Sequence, residues 1–249
     1  IRDRFMSAAA DATSAQTDVR VAAYNIKHGR GVDDQVDLPR IADVLRGLDA
    51  DVIALQEVDD RTERTGGVDQ VAVLAELLGY EGGHGPHRPY QGGFYGNAIL
   101  SRLPIRTHRT HAIPSAAGSA LAVYEVELEL DGSGQTLSVV SVHLAGSEME
   151  RMAQADSVTS YFVRRSGPVI LAGDFNGRPG SPVLARLARD WTIAQKEGAR
   201  FTYPSDEPDR EIDFVMTRTS DNIEIINHTV VPEPMASDHR PLVAELRVR

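Results

Sequence analysis

Beyond residue 18 the chain alternates short apolar runs with amphipathic stretches, and the spacing within each predicts its secondary structure. Val19-Arg20-Val21-Ala22-Ala23-Tyr24 reads as a first strand. Leu38, Ile41, Val44, Leu45 and Leu48 recur at helical spacing, and Val52-Ile53-Ala54-Leu55 is a short apolar run of the kind that fills a buried strand. A second helix is predicted over 69–78, with Val71, Leu74, Leu77 and Leu78 inward and Gly79 as its stop. The glycine-rich stretch 82–96 reads as a loop, and Ala98-Ile99-Leu100 as a strand. Over 121–130 apolar residues alternate with Val123, Glu125, Glu127 and Glu129, a pattern that leaves one face to water. Asp131-Gly132-Ser133-Gly134 is a turn signal before 136–142, so these two strands form an antiparallel hairpin. A helix over 148–164 precedes the apolar run Pro168-Val169-Ile170-Leu171-Ala172, and strands near 212–217, 223–230 and 242–248 close the chain.

Helices and strands interleave, but the hairpins break strict alternation. That favours a layered α/β sandwich, with mixed sheets and helices packed outside, over a doubly wound parallel sheet. No internal repeat or low-complexity linker marks a boundary, so residues 19–249 are expected to form one domain. Residues 1–18 are rich in Ala, Ser, Thr and Asp without a period that would bury a face, and they read as a flexible leader.

Composition narrows the function classes. Of the 249 residues 41% are hydrophobic and 25% charged, enough apolar material for a sizeable core. The net charge of -10 argues against a surface built to attract long polyanions, so phosphate binding has to be local. Cysteine is absent, which excludes disulfides, thiolate metal ligands and a cysteine nucleophile. No apolar run approaches the roughly 20 residues of a membrane span. A monomer is expected, and export from a bacterial cell is favoured over a cytoplasmic location.

Polar residues gather at the ends of the apolar runs. Asn25 follows the first strand, Gln56-Glu57 the second, His143 the run 139–142, and Gly173-Asp174-Phe175-Asn176 the run at Ile170-Leu171. Ser237-Asp238-His239 precedes the last strand. Ligand sites in α/β folds lie at such strand ends, and oxygen donors with few histidines suit a hard cation such as Mg²⁺. Singly, each residue is also an ordinary cap, turn or core histidine.

Together they resemble the endonuclease/exonuclease/phosphatase superfamily of metal-dependent phosphoesterases. The matching segments, in the family's order, are Tyr24-Asn25-Ile26, Leu55-Gln56-Glu57-Val58, Gly96-Asn97-Ala98-Ile99-Leu100-Ser101-Arg102, Val142-His143-Leu144, Gly173-Asp174-Phe175-Asn176, Ile212-Asp213-Phe214-Val215 and Ser237-Asp238-His239-Arg240-Pro241-Leu242. The resemblance implies a four-layer α/β sandwich with two central mixed β-sheets flanked by helices. It also implies hydrolysis of a phosphate ester, most often a diester, by metal-assisted attack of water. Phosphomonoester hydrolysis, or a silent binding module of the same fold, stays as the alternative.

By the same resemblance Glu57, Asn25 and Asp238 hold the metal, Mg²⁺ with Mn²⁺ or Ca²⁺ as alternatives. His239 pairs with Asp213 as base, Asp174 is the rival base with Asn176 beside it, and His143 serves the scissile phosphate or the leaving group. Asn97 binds a phosphate oxygen, and the substrate ester belongs to a nucleic acid or a lipid headgroup. Some members carry a glutamate just before the Gly-Asn motif that pairs with the second histidine, but Gln91-Gly92-Gly93-Phe94-Tyr95 stands there in this chain. No acidic residue occurs between Glu81 and Glu125, a stretch holding Arg88, Arg102, Arg106, Arg109, His84, His87, His108 and His111. Arg88 and Arg109 are therefore expected to line an anionic substrate. Arg61, Arg64 and Gly66-Gly67 read as a flexible rim loop, and Trp191 as core.

Overall fold

The computed structural model describes residues 16–116, 120–130 and 134–249. Most of the expected leader, and the turn at 131–133, lie outside the described residues. The first strand, β1, spans Thr17–Asn25 and so starts two residues before the apolar pattern does. Helix α1 (Leu38–Leu48) and β2 (Val52–Asp60) follow, then α2 (Gln70–Leu78). Strands β3 (Glu81–Tyr90), β4 (Gly93–Ser101), β5 (Ile105–Ile113), β6 (Leu121–Glu129) and β7 (Thr136–His143) come next. Helix α3 (Glu148–Phe162), β8 (Val169–Asp174), α4 (Pro182–Leu187), β9 (Trp191–Ile193), β10 (Asp213–Arg218), β11 (Ile223–Val230) and β12 (Leu242–Val248) complete the chain.

The strands form two six-stranded sheets, in the orders β11-β12-β1-β2-β4-β3 and β5-β6-β7-β8-β10-β9. Each is mixed, because β1 runs parallel to β2 and β7 to β8 while the other pairs are antiparallel. Three apolar clusters set the layers. Val21, Ala54, Ile99, Val126, Val139 and Ile170 meet between the sheets. Ile41, Leu45 and Leu74 press onto the outer face of the first sheet, and Ala155, Val158, Phe162 and Leu187 onto that of the second. The architecture is the expected α/β sandwich, with helices outside and two sheets within.

Local signals hold the helices in place. The Asp37 carboxylate caps α1 by accepting from the Arg40 amide, and Asp69 caps α2 through Ala72. Ser147 and Glu150 form a reciprocal capping box at the start of α3. In α2 the inward row is Val71, Leu74, Ala75 and Leu78, so Leu77, expected inward, falls off that stripe and is 42% exposed.

Three other expectations change. The glycine-rich stretch is a β-hairpin rather than a loop, turning at Gln91 and Gly92, both with positive φ. Its glycines are needed for close approach: a Cβ at Gly83 or Gly85 would overlap the Tyr124 side chain of the opposite sheet. The outward face of β6 is covered by α3, so Val123 and Glu125 are buried. The Glu125 carboxylate is ion-paired with Arg165 at 2.8 Å and lies 2.8 Å from His111 Nε2. Finally, the rim segment after β2 is tied down. Arg64 holds the fully buried Asp59 through two contacts of 2.7 and 2.8 Å, and Thr62 donates to the same carboxylate. Trp191 is core as expected, its indole N–H donating to Thr159.

Candidate active site

The two parallel pairs end side by side, and hydrogen bonds stitch the sheets together beneath them. Gln56 donates to the Ser141 hydroxyl, which donates to the Leu55 carbonyl, and Asn97 donates both to Ser141 O and to Ala122 O. That use consumes both amide hydrogens of Asn97. Its expected role as donor to a phosphate oxygen is therefore corrected: Asn97 is a cross-sheet tie, because its remaining polar atom is an acceptor.

Above this floor the site residues converge. At the end of β1 the Asn25 amide donates to Glu57 Oε1 at 3.0 Å and to Asp174 Oδ2 at 3.3 Å. Glu57 is placed by a bulge in β2, where the register to β4 shifts between Leu55 and Val58 and its own φ is +56°. A non-glycine residue in that region is strained, and here the strain turns a carboxylate toward Asn25. Asn176, at φ +48°, donates its side-chain amide to Leu144 O and Asp174 Oδ2, and its backbone N–H to Asp174 Oδ1.

His239 sits over Asp213 with Nδ1 at 3.0 Å from Oδ2, and its Nε2 is 3.8 Å from Asp174 Oδ2. His143 approaches the same Asp174 oxygen with its own Nε2 at 3.7 Å. One carboxylate oxygen thus meets two imidazoles and two side-chain amides. Burial, then the Asp213 charge, raises the pKa of Asp174 to about 6. Burial works against a charged His239, but the Asp213 charge and hydrogen bond, with Asp174 and Asp238 behind them, push its pKa up to about 10.

Asp238 lies beside this group. Ser237 anchors it by donating to Asn25 O, and its Oδ2 is 3.0 Å from the ammonium of Lys27. Lys27 was missed in the sequence, although it stands two residues after Asn25. Arg88 lines a cavity of about 290 Å³ with His143, Tyr95, Leu121, Gly146 and Glu150. Its guanidinium lies over the rings of Tyr90 and Tyr95, and Arg64, expected on the rim, stacks on the same two rings. The other expected substrate arginine is a correction. Arg109 stands exposed in mid-strand on edge strand β5, opposite Glu125, two strands from β7. Arg102 and Arg106 are paired with Asp49 and Glu129. Another cavity, about 330 Å³, opens between α4 and β10 around Leu184, Lys196, Glu211 and Phe214, but none of the convergent carboxylates and imidazoles lines it.

The donor set fits a divalent cation. Glu57 and Asp174 converge on the Asn25 amide, and Asp174 is buried with the Asp213 carboxylate close enough to raise its pKa further. Asp174, Asp213 and His239 also offer ligand atoms within 4.8 Å of one another. Asp213 and His239 are also engaged with each other through Nδ1 of the imidazole.

The sequence model of the Endonuclease/Exonuclease/phosphatase family matches residues 22–239. The chain belongs to that family. Members hydrolyse phosphodiester or other phosphate ester bonds and generally use divalent metals. The chain is 26% identical to "Uncharacterized protein YbhP" of Escherichia coli (strain K12) over 94% of its own length and 98% of that protein. The crystal structure of an endonuclease/exonuclease/phosphatase from Beutenbergia cavernae superimposes with a TM-score of 0.73 at 25% identity, covering 93% of this chain and 72% of that one. The human Nocturnin catalytic domain with bound sulfate shares the fold at a TM-score of 0.68 and 19% identity, covering 92% and 93%.

Proposed function

We propose that the protein hydrolyses a phosphodiester by cation-assisted attack of water. The observation that carries this reading is the pair of imidazoles on one carboxylate: His239 Nε2 and His143 Nε2 stand 3.8 and 3.7 Å from Asp174 Oδ2. Two proton-handling groups on one site suit a reaction in which water loses a proton and a poor alkoxide leaving group gains one. His239, held by Asp213, takes the proton of water. Asp174 and Asn176 orient that water, and His143 faces the leaving oxygen. Glu57, Asn25 and Asp238 would hold Mg²⁺, Mn²⁺ or Ca²⁺, which neutralises phosphate charge as a Lewis acid and offsets the carboxylates that tighten His239's grip on its proton.

The cavity beside His143, with Arg88 and Tyr95, receives the leaving group. An acidic chain and a cavity of this size favour a small diester or a lipid headgroup over long duplex nucleic acid.

The test is hydrolysis of bis(p-nitrophenyl) phosphate and of p-nitrophenyl phosphate by chelator-treated protein, with Mg²⁺, Mn²⁺ or Ca²⁺ restored in turn. Metal-restored turnover that favours the diester is expected. Turnover that favours the monoester would replace the substrate class, and none with either ester under any metal would leave the silent binding module.

A further inference from the structure

His143 is buried, and its Nδ1 has no hydrogen-bond partner among the described residues. An imidazole that meets substrate through Nε2 normally has its other nitrogen held, since that contact sets the ring's orientation and tautomer. Two further groups near it are orphaned in the same way: Oδ1 of Asn97, whose amide is tied to Ser141 two residues before His143, and both ring nitrogens of His87. His87 is the extra residue of a bulge in β3, where the register to β4 shifts between Pro86 and Arg88. Its ring stands edge-on to Tyr95 at 5.6 Å and lies 6.5 Å from that of His143, tilted by 45°. The backbone of Ala122 offers it a weak polar attraction without hydrogen-bond geometry. Burial, with His143 next in effect, pulls the His87 pKa down to about 3, so the ring stays neutral.

We propose that His87 is the positioning residue of His143, a buried imidazole that holds Nδ1 of His143 through one bridging water. A separation of 6.5 Å between ring centres is too long for a direct bond, whose heavy atoms must come within about 3 Å, and is the span that a single water bridges. A water there has Nδ1 of His143 and the ring nitrogens of His87 to satisfy, all buried without partners among the described residues, which is the setting that retains buried water. The Nε2 of His143 faces Asp174 and so carries the hydrogen in the neutral ring. Nδ1 then accepts from the water, and His87 anchors it. The arrangement supplies orientation without a carboxylate, in a segment that has none between Glu81 and Glu125.

The catalytic meaning rests on the phosphodiesterase reading, but the ring state is measurable without substrate. In the full chain, ¹⁵N spectra of the histidine side chains should show His143 in one fixed tautomer with a hydrogen-bonded Nδ1. His87→Phe keeps the ring volume and removes both nitrogens. It should turn that signature into an averaged one and, on a hydrolysed diester, lower kcat about tenfold with KM unchanged. His87→Gln retains a donor and an acceptor and should restore both. An unchanged His143 spectrum in His87→Phe would overturn the proposal, whatever the activity. Should the Phe variant fail to fold, a wild-type His143 without a hydrogen-bonded Nδ1 would overturn it alone. A changed spectrum in a protein inactive on every ester would uphold the positioning and remove the reaction.

Discussion

Asp174 and Asp213 stand directly opposite one another across the β8–β10 ladder, and the imidazole of His239 bridges them, 3.0 Å from one and 3.8 Å from the other. Like charges at a facing pair repel, so the ring both uses Asp213 as its orienting partner and separates two buried carboxylates. His239→Ala and Asp213→Ala should each lower kcat by roughly 100-fold or more, and the double variant should be little worse than the poorer single one. A kinetic cycle on a diester checks this. Losses that multiply would give the two residues independent roles.

Glu57→Gln keeps the shape of the side chain and its contact with Asn25 while removing one charge from the proposed cation site. The cation concentration needed for half-maximal activity, and for half-maximal rise in thermal midpoint, should increase by about tenfold or more. The midpoint without metal should not fall. If metal titration of the variant overlays that of the wild type, Glu57 is no ligand.

The basic segment divides into one arginine at the site and others away from it. Arg88→Gln should raise KM for an anionic diester by about 3- to 10-fold with little change in kcat, because such a contact acts alike in ground and transition states. Arg109→Gln should change neither. Equal effects of the two substitutions would mean that long-range charge, and not the cavity beside His143, sets substrate affinity.

Strands that bury at least one face announced themselves by their apolar runs. β1, β2, β4, β6, β7, β8, β10, β11 and β12 were legible for that reason. β5 was not, since Ile105-Arg106-Thr107-His108-Arg109-Thr110-His111 is polar and largely exposed on a sheet edge. β3 was hidden because its glycines lack the side chains that make a period visible. At the site, residues at strand ends could be read locally, and the structure brings Asn25, Glu57, His143, Asp174, Asn176, Asp213, Asp238 and His239 to one edge. Partner choices could not be read. Arg64 on Asp59, Lys27 on Asp238, and His87 beside His143 depend on bulges and on which strand lies next to which.

The glycines of β3 give a test of the close approach between sheets. Gly83→Ala places a methyl against the Tyr124 hydroxyl and should destabilise the fold by about 1–3 kcal/mol. Tyr124→Phe removes that hydroxyl, which is buried without a partner, and should recover part of the loss. Urea unfolding of the two single variants and the double one measures the coupling. An additive double variant would place the strain elsewhere.

Glu125 makes the acid limb of stability predictable. Burial works to raise its pKa, but His111 and Arg165 outweigh burial and hold the carboxyl below its ordinary value. A carboxyl depressed in the folded state binds protons more readily in the unfolded chain. Its contribution is therefore fully present above the unfolded value of about 4.5 and is lost as pH falls through the lower folded value. Glu125→Gln removes the titration, so the thermal midpoint of the variant should drop less steeply than that of the wild type between about pH 6 and pH 3. The variant should also be less stable near neutrality, because Arg165 loses a buried charge partner. If the two midpoints fall in parallel with pH, the titration that limits acid stability lies outside the Glu125, His111 and Arg165 cluster.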